Sequence, residues 1–239
     1  AHIKTDSIKI PDATPEIIEF TMEFAKQYGY EFEHEATYDR MCLVNDAVYI
    51  AKYATAEDCI SQYGYSPGDN KKKGGKWTAT GTQFQIPYVF KKLFSKEEIL
   101  FDDICETKSV TSSLYLDMNE GLGEDEHNYI FIGKVGRFCP IKEGCGGGVL
   151  YREKDGKYYA ATGSKGYRWL ESEMVEKLGK VDDVDHKHFI EMVDTAIEAI
   201  SKHGDFEWFV SDDIYVKPPL VVGDYGLYPF YCEGDDSCE

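Results

Sequence analysis

The opening stretch, His2-Ile3-Lys4-Thr5-Asp6-Ser7-Ile8-Lys9-Ile10-Pro11, constrains the chain most, because a short polar centre is held between β-branched residues. Such residues are stiff at χ1 and pack well on a pleated surface, so the stretch reads as strand. Extended throughout, it puts Lys4 and Asp6 on one face and Thr5 and Ser7 on the other; a turn at its centre breaks that alternation. Read as strand, it fixes Asp6 on rigid backbone, and a carboxylate so fixed suits a divalent metal.

At 239 residues the chain has room for one large domain or two small ones, and 42% hydrophobic residues, 14% aromatic, are ample for a packed core. No run of about 18 apolar residues and no apolar leader segment is present, so neither a membrane span nor a secretory signal is read and a cytoplasmic location, in a bacterial or phage-infected cell, is expected. Cys42, Cys59, Cys105, Cys139, Cys145, Cys232 and Cys238 make an odd count in a chain too large to need covalent staples, which favours free thiols. Cys139/Cys145 and Cys232/Cys238 share one spacing, so a four-thiolate zinc site stands beside the plainer thiol or disulfide readings, although structural zinc pairs are usually tighter.

A net charge of -18 argues, taken alone, against nucleic acid, since phosphate binding is driven by Lys and Arg releasing counterions. The distribution differs from the sum. Residues 71–96 carry Lys71, Lys72, Lys73, Lys76, Lys91, Lys92 and Lys96 with no Asp or Glu. Residues 134–168 carry Lys134, Arg137, Lys142, Arg152, Lys154, Lys157, Lys165 and Arg168 against Glu143, Glu153 and Asp155. Two basic stretches on an acidic body are either one anion-binding face or separate solvated surfaces.

In chain order, Asp12 or Thr14 caps a helix with Pro15 in its first turn, and Ile17, Phe20, Phe24 and Tyr28 form an apolar stripe that predicts a core element ending at Gly29. Residues 31–37 and 41–53 read as strands joined by a turn at Tyr38-Asp39-Arg40. A short helix follows over 55–63, then a Gly-, Pro- and Lys-rich loop over 64–75, the clearest boundary. Residues 76–81 read as a Gly-containing strand, 88–94 as helix, 96–106 as an acidic helix and 107–128 as a polar linker. A small β-rich block is expected over about 129–169, with Lys154-Asp155-Gly156-Lys157 a hairpin turn because Asp-Gly readily takes positive φ. Gly144, Gly146, Gly147 and Gly148 read as a bulged connection, since no Lys-Ser/Thr pair and no helix follow as a phosphate cradle requires. Tyr167 or Trp169 is placed to stack a base while Lys165 and Arg168 take phosphate, or Trp169 anchors the next helix. Helices over 170–178 and 186–202 complete the pattern, followed by an acidic, aromatic, loop-like tail.

Thr5-Asp6-Ser7 between apolar strand residues resembles motif C of the family B DNA polymerases, phage-like members included, whose usual form is Tyr-Gly-Asp-Thr-Asp-Ser at the tip of a palm hairpin. Lys4 stands where the family has its first Asp. The strand, helix, strand, strand order of residues 1–54 resembles the end of that palm, with Tyr49 matching a Lys-Lys-Arg-Tyr-like segment whose basic residues are here Asp46, Ala47 and Val48. Lys52 is a substitute charge there, and Tyr49 reads equally as an ordinary cross-strand aromatic. Residues 76–94 resemble the passage from palm to thumb.

The resemblance implies an α+β fold, a partial palm of antiparallel strands with a packed helix over 1–70, followed by a mixed helical and β-hairpin thumb region over 71–239. It implies a DNA-directed DNA polymerase, a nucleotidyltransferase of DNA replication, with Asp6 as catalytic and magnesium-binding residue. Thr5, Ser7, Tyr49, Lys52, Lys71, Lys72, Lys73, Lys76, Lys91, Lys92, Lys165, Tyr167 and Arg168 would be DNA-binding. The partners are primer-template DNA, deoxynucleoside triphosphates and an N-terminal polymerase part with the other catalytic Asp and the fingers, so the chain reads as a C-terminal fragment or split subunit, inactive alone. The alternatives are a non-enzymatic acidic binding or regulatory protein and a zinc-binding interaction module.

Overall fold

In the computed structural model, which describes residues 2–4, 6–64, 76–123, 125–211, 220–223 and 226–229, the chain is α+β, with antiparallel sheets and several helices. Helix α1 (Pro15–Lys26) begins where the sequence places it. Thr14 Oγ1 accepts from the Ile17 amide at 3.4 Å, and Pro15 sits where a missing N–H costs nothing. Helix α2 (Ala56–Tyr63) is capped by Thr55 and closed by Gly64 at φ 77°. The caps of α6 (His186–Ser201) and α7 (Phe206–Val210) are Asp185 and Asp205, whose carboxylates accept from Lys187 N and Trp208 N at 3.0 and 2.6 Å.

Strands β1 (His2–Lys4) and β2 (Ser7–Lys9) form a two-stranded hairpin. Strands β3 (Tyr38–Leu43), β4 (Tyr49–Tyr53) and β5 (Trp77–Ala79) form an antiparallel sheet in that order, continuing past residue 70, where the sequence suggested a boundary. The expected strand over 31–37 is irregular, and the expected turn at Tyr38-Asp39-Arg40 lies inside β3. The actual turn is at 44–48, where Asn45 Oδ1 accepts from Ala47 N and Val48 N at 2.9 and 3.0 Å and so holds the reversal.

Against this sheet pack α3 (Thr82–Gln85), α4 (Pro87–Phe90) with its π-helical continuation Lys91–Ser95, α7 and the second half of α6, burying Ile50, Trp77, Phe84, Val89, Phe94 and Ile200. The Trp77 ring lies 5.3 Å from both Phe94 and Phe209.

The larger sheet runs β10-β7-β6-β8-β9, with β6 (Glu106–Asp117), β7 (Tyr129–Ile141), β8 (Val149–Lys154), β9 (Lys157–Ala160) and β10 (Arg168–Glu171), all antiparallel to their neighbours. It starts well before residue 129. The expected linker over 107–128 is a twelve-residue central strand followed by a loop, and the expected helix over 96–106 is a single 3₁₀ turn, Phe101–Ile104. Thr107, Ser109, Thr111 and Ser113 make β6 look loop-like, yet Thr suits a pleated strand and Leu114 and Leu116 are fully buried between β7 and β8. The Asp155-Gly156 turn is as expected, at φ 53° and 74°.

Helix α5 (Ser172–Lys177) and the first turns of α6 cover one face of this sheet, enclosing Phe138, Trp169, Val175 and Phe189. Because α6 gives Phe189 to this core and Val193, Ala196 and Ile200 to the other, one helix ties the two together. A last hairpin pairs β11 (Leu220–Gly223) with β12 (Gly226–Pro229).

The apolar stripe of α1 does not enter a core. Ile17, Phe20, Phe24 and Tyr28 are 40, 67, 47 and 66% exposed, and the rings of Phe20, Phe24 and Tyr28 pack on one another along the helix. Among the described residues no helix is long and apolar enough to cross a membrane.

Candidate nucleic-acid interface

The register of the first hairpin decides how Asp6 is presented. His2 pairs Lys9, Ile3 pairs Ile8 and Lys4 pairs Ser7, so the continuous strand is replaced by a hairpin with Asp6 in its turn. Asp6 is exposed at that tip; Thr5 lies outside the described residues. Lys9 folds back toward the tip, its Nζ 3.5 Å from Ser7 Oγ, and lies 5.0 Å from the centre of the Tyr49 ring. The hairpin and the first residue of β4, far apart in sequence, are thereby neighbours. Tyr49 is held from behind: its amide donates to Thr80 Oγ1 at 2.9 Å, and its ring neighbours Tyr38, whose phenol is pushed well up by burial first, then by the charges of Tyr49, Tyr53 and Glu35 and a hydrogen bond with Tyr49.

The expected basic contacts divide. Lys76, just before β5, Lys92, in the π-helical turn after α4, and Lys165, on the loop before β10, are exposed. Lys71, Lys72 and Lys73 lie outside the described residues. Lys52 points inward, donating to Ser211 O at 3.0 Å beside Trp77. Lys91 is bonded to Asp103 at 2.7 Å, both side chains buried. Arg168 is a brace: its guanidinium donates to Gly146 O, Gly147 O and Asn119 Oδ1 at 3.2, 2.7 and 3.3 Å. Tyr167 is not a bare stacking platform either, since its hydroxyl donates to Glu191 at 2.5 Å and its ring lies 4.3 Å from His188. That bond pushes the Tyr167 phenol up to about 12.

The glycine run is explained by packing. Gly147 has φ 78° and Gly148 pairs with Trp169, where a Cβ on Gly148 would meet Leu116 at 2.7 Å and Asp117 O at 2.9 Å. Trp169 is fully buried with Nε1 donating to Ser164 O at 3.0 Å, which is the anchoring role.

No protein-family model, curated protein or solved structure matches the chain. What the site offers is therefore read from its own groups. Among the described residues no three His, Cys, Asp or Glu side chains converge on a point that would hold a metal ion. Asp6 alone does not make an octahedral magnesium site, whose remaining oxygens would come from elsewhere. Cys139, one of the four thiols considered for zinc, is buried in the sheet with its sulfur 3.2 Å from Cys105, while Cys232 and Cys238 lie outside the described residues.

Two buried clusters escaped the sequence. Arg40 and Lys52, from adjacent strands, both reach the carbonyl end of α7: the Arg40 guanidinium contacts Trp208 O, lies 3.2 Å from Ser211 O and sits 4.6 Å from the Trp208 ring. Glu106 lies between His188 and Lys108 at the edge of the large sheet. Nothing local in the sequence joins these partners, since Arg40 and Ser211 are 171 positions apart.

Proposed function

We propose that this chain is the C-terminal part of a template-directed DNA polymerase, fragment or subunit, which contributes one metal-binding carboxylate and primer-template contacts to deoxynucleotidyl transfer. The observation that carries the reading is the hairpin: Asp6 stands exposed in the turn between β1 and β2, and Lys9 of β2 reaches the Tyr49 ring at 5.0 Å. In the reaction a primer 3′-hydroxyl attacks the α-phosphate of a deoxynucleoside triphosphate, forming the phosphodiester bond as the α–β phosphoanhydride breaks and pyrophosphate leaves; Asp6, with carboxylates from a second part, would hold magnesium, which would supply electrostatic stabilisation of the oxygens that gain charge. The part played by this chain is presentation. The paired β1–β2 backbone fixes the position of Asp6, Tyr49 lies beside the primer, and Lys76, Lys92 and Lys165 meet phosphates in a way that positions without reading sequence. A second polymerase part would bring the other carboxylate and the nucleotide-binding fingers.

Titration of a fluorescent primer-template duplex with the purified chain across a salt series tests this. Weak binding that falls steeply with salt, with a log–log slope of about -2 to -4 for a few neutralised phosphates, supports the reading. Binding that is absent, or flat in salt, removes the DNA contacts. Nucleotide incorporation by this chain alone would contradict its dependence on a second part.

A further inference from the structure

Two cysteines face each other where β6 begins. Glu106 pairs Phe138 at the start of the β6–β7 ladder, and Cys105 and Cys139 are one step back on the first strand and one step on along the second. Antiparallel register sets them opposite each other, Cys105 being already extended at φ -118° and ψ 136°. Their sulfurs lie 3.2 Å apart, and both thiols are free. A disulfide needs sulfurs about 2.0 Å apart and Cβ atoms about 3.5–4.5 Å apart, against about 4.5–5.5 Å for ordinary cross-strand neighbours, so a small closing of the two strands suffices.

The two thiols are unlike. Cys139 is fully buried and pairs Leu170 of β10 on its other side, whereas Cys105 stands at the rim of the same core, 7% exposed. The Cys105 thiol donates to Phe101 O at 3.2 Å, which leaves Cys139 as the donor to the Cys105 sulfur. That hydrogen bond draws the Cys105 thiol below its ordinary value of 9.0, opposed by burial and helped by the Arg137 charge; the same bond and burial push the Cys139 thiol up. Burial pushes the thiols of Cys42 and Cys59 up as well.

The pair also sits where the two cores meet. Asp102 accepts from Arg137 of β7 at 2.8 Å, Asp103 holds Lys91 of the π-helical segment at 2.7 Å, and Glu106 meets His188 of α6. Residues 102–106 therefore join the large sheet to helices that pack on the small one.

We propose that Cys105 and Cys139 are a redox couple, a reversible disulfide site that closes on oxidation by a peroxide and clips residues 102–106 to β7. In the first step the Cys105 thiolate attacks one oxygen of hydrogen peroxide. An S–O bond forms as the O–O bond breaks, and the hydroxide that leaves takes up the proton the thiol gave, forming water. In the second step the Cys139 sulfur attacks the Cys105 sulfenic acid. The S–S bond forms as the S–O bond breaks, and the departing hydroxyl takes the Cys139 proton as water. Two thiols are oxidised to one disulfide, and one peroxide is reduced to two waters. Buried Cys139 is thus reached only through Cys105. This goes beyond the DNA contacts proposed above and stands on different residues.

The test treats the native full chain with hydrogen peroxide in slight excess, quenches with catalase, unfolds and alkylates with N-ethylmaleimide, and maps an unreduced digest by mass spectrometry. The expected product is a Cys105–Cys139 peptide pair about 2 Da lighter than its two thiol peptides and restored to them by dithiothreitol. The linked chain should melt about 5–10 °C above the reduced one. In Cys139→Ala, where no thiol resolves the sulfenic acid, dimedone should label Cys105, and in Cys105→Ala it should leave Cys139 unlabelled; circular dichroism confirms the fold of each. Both cysteines still alkylated once the peroxide is consumed would overturn the proposal, as would a pairing no more selective in the native chain than in urea. A link that forms without raising the melting temperature would overturn the clipping.

Discussion

At the scale of single residues, the chain spends several of its charges inside. Arg40 sits 4% exposed under α7, donating to carbonyls at that helix's C-terminal end, where a cation is favourable. Truncating it leaves those buried acceptors unpaired, so Arg40→Met should cost about 3 kcal/mol in urea unfolding at unchanged m-value; a loss under about 0.5 kcal/mol would show the clamp to be idle. Glu106 makes a pH prediction. Burial pushes its carboxyl up, but hydrogen bonds from His188 and Lys108 and the Lys108 charge outweigh this and leave it below its ordinary value of 4.5. A depressed folded-state pKa adds stability that is present above 4.5 and is lost as pH falls through the folded value. The unfolding midpoint should therefore drop more steeply below about pH 4.5 in the native chain than in Glu106→Gln. Such partnerships are illegible from sequence: Lys52, Lys91 and Arg168 look like surface cations until strands and loops return to meet them, and charge patterning carries no information about which ones do.

At the scale of elements, legibility follows local chemistry. Thr14-Pro15, Thr55, Gly64 and Asp155-Gly156 announce their helix ends and turn because the cap or the positive φ is set by that residue itself. Strand β6 hides because its Ser and Thr residues look like a loop until β7 and β8 pair on both sides. The hairpin of Asp6 was legible as β structure, and its turn was decided by register. Two substitutions test the elements. Gly148→Ala forces a Cβ into Leu116 and the Asp117 carbonyl and should cost about 1–3 kcal/mol, measured by thermal unfolding; a neutral change would mean the glycine run is not there for packing. Phe20→Glu, on the exposed stripe of α1, should change stability by less than about 0.5 kcal/mol, while a large loss would place that stripe in a core after all.

At the scale of the whole molecule, two cores share α6, and a body of net charge -18 carries its basic groups in restricted places. Lys76, Lys92 and Lys165 are exposed on separate elements of an acidic body, so duplex binding, if the chain binds DNA as proposed, should depend strongly on salt. In the function proposed, the β1–β2 tip meets the primer terminus. A photoreactive phenylalanine analogue placed at Asp6, with a primer labelled along its length, measures this most directly. Crosslinks concentrated within a few nucleotides of the primer 3′ end are expected. Crosslinks scattered along the duplex, or none while the duplex is bound, would contradict it.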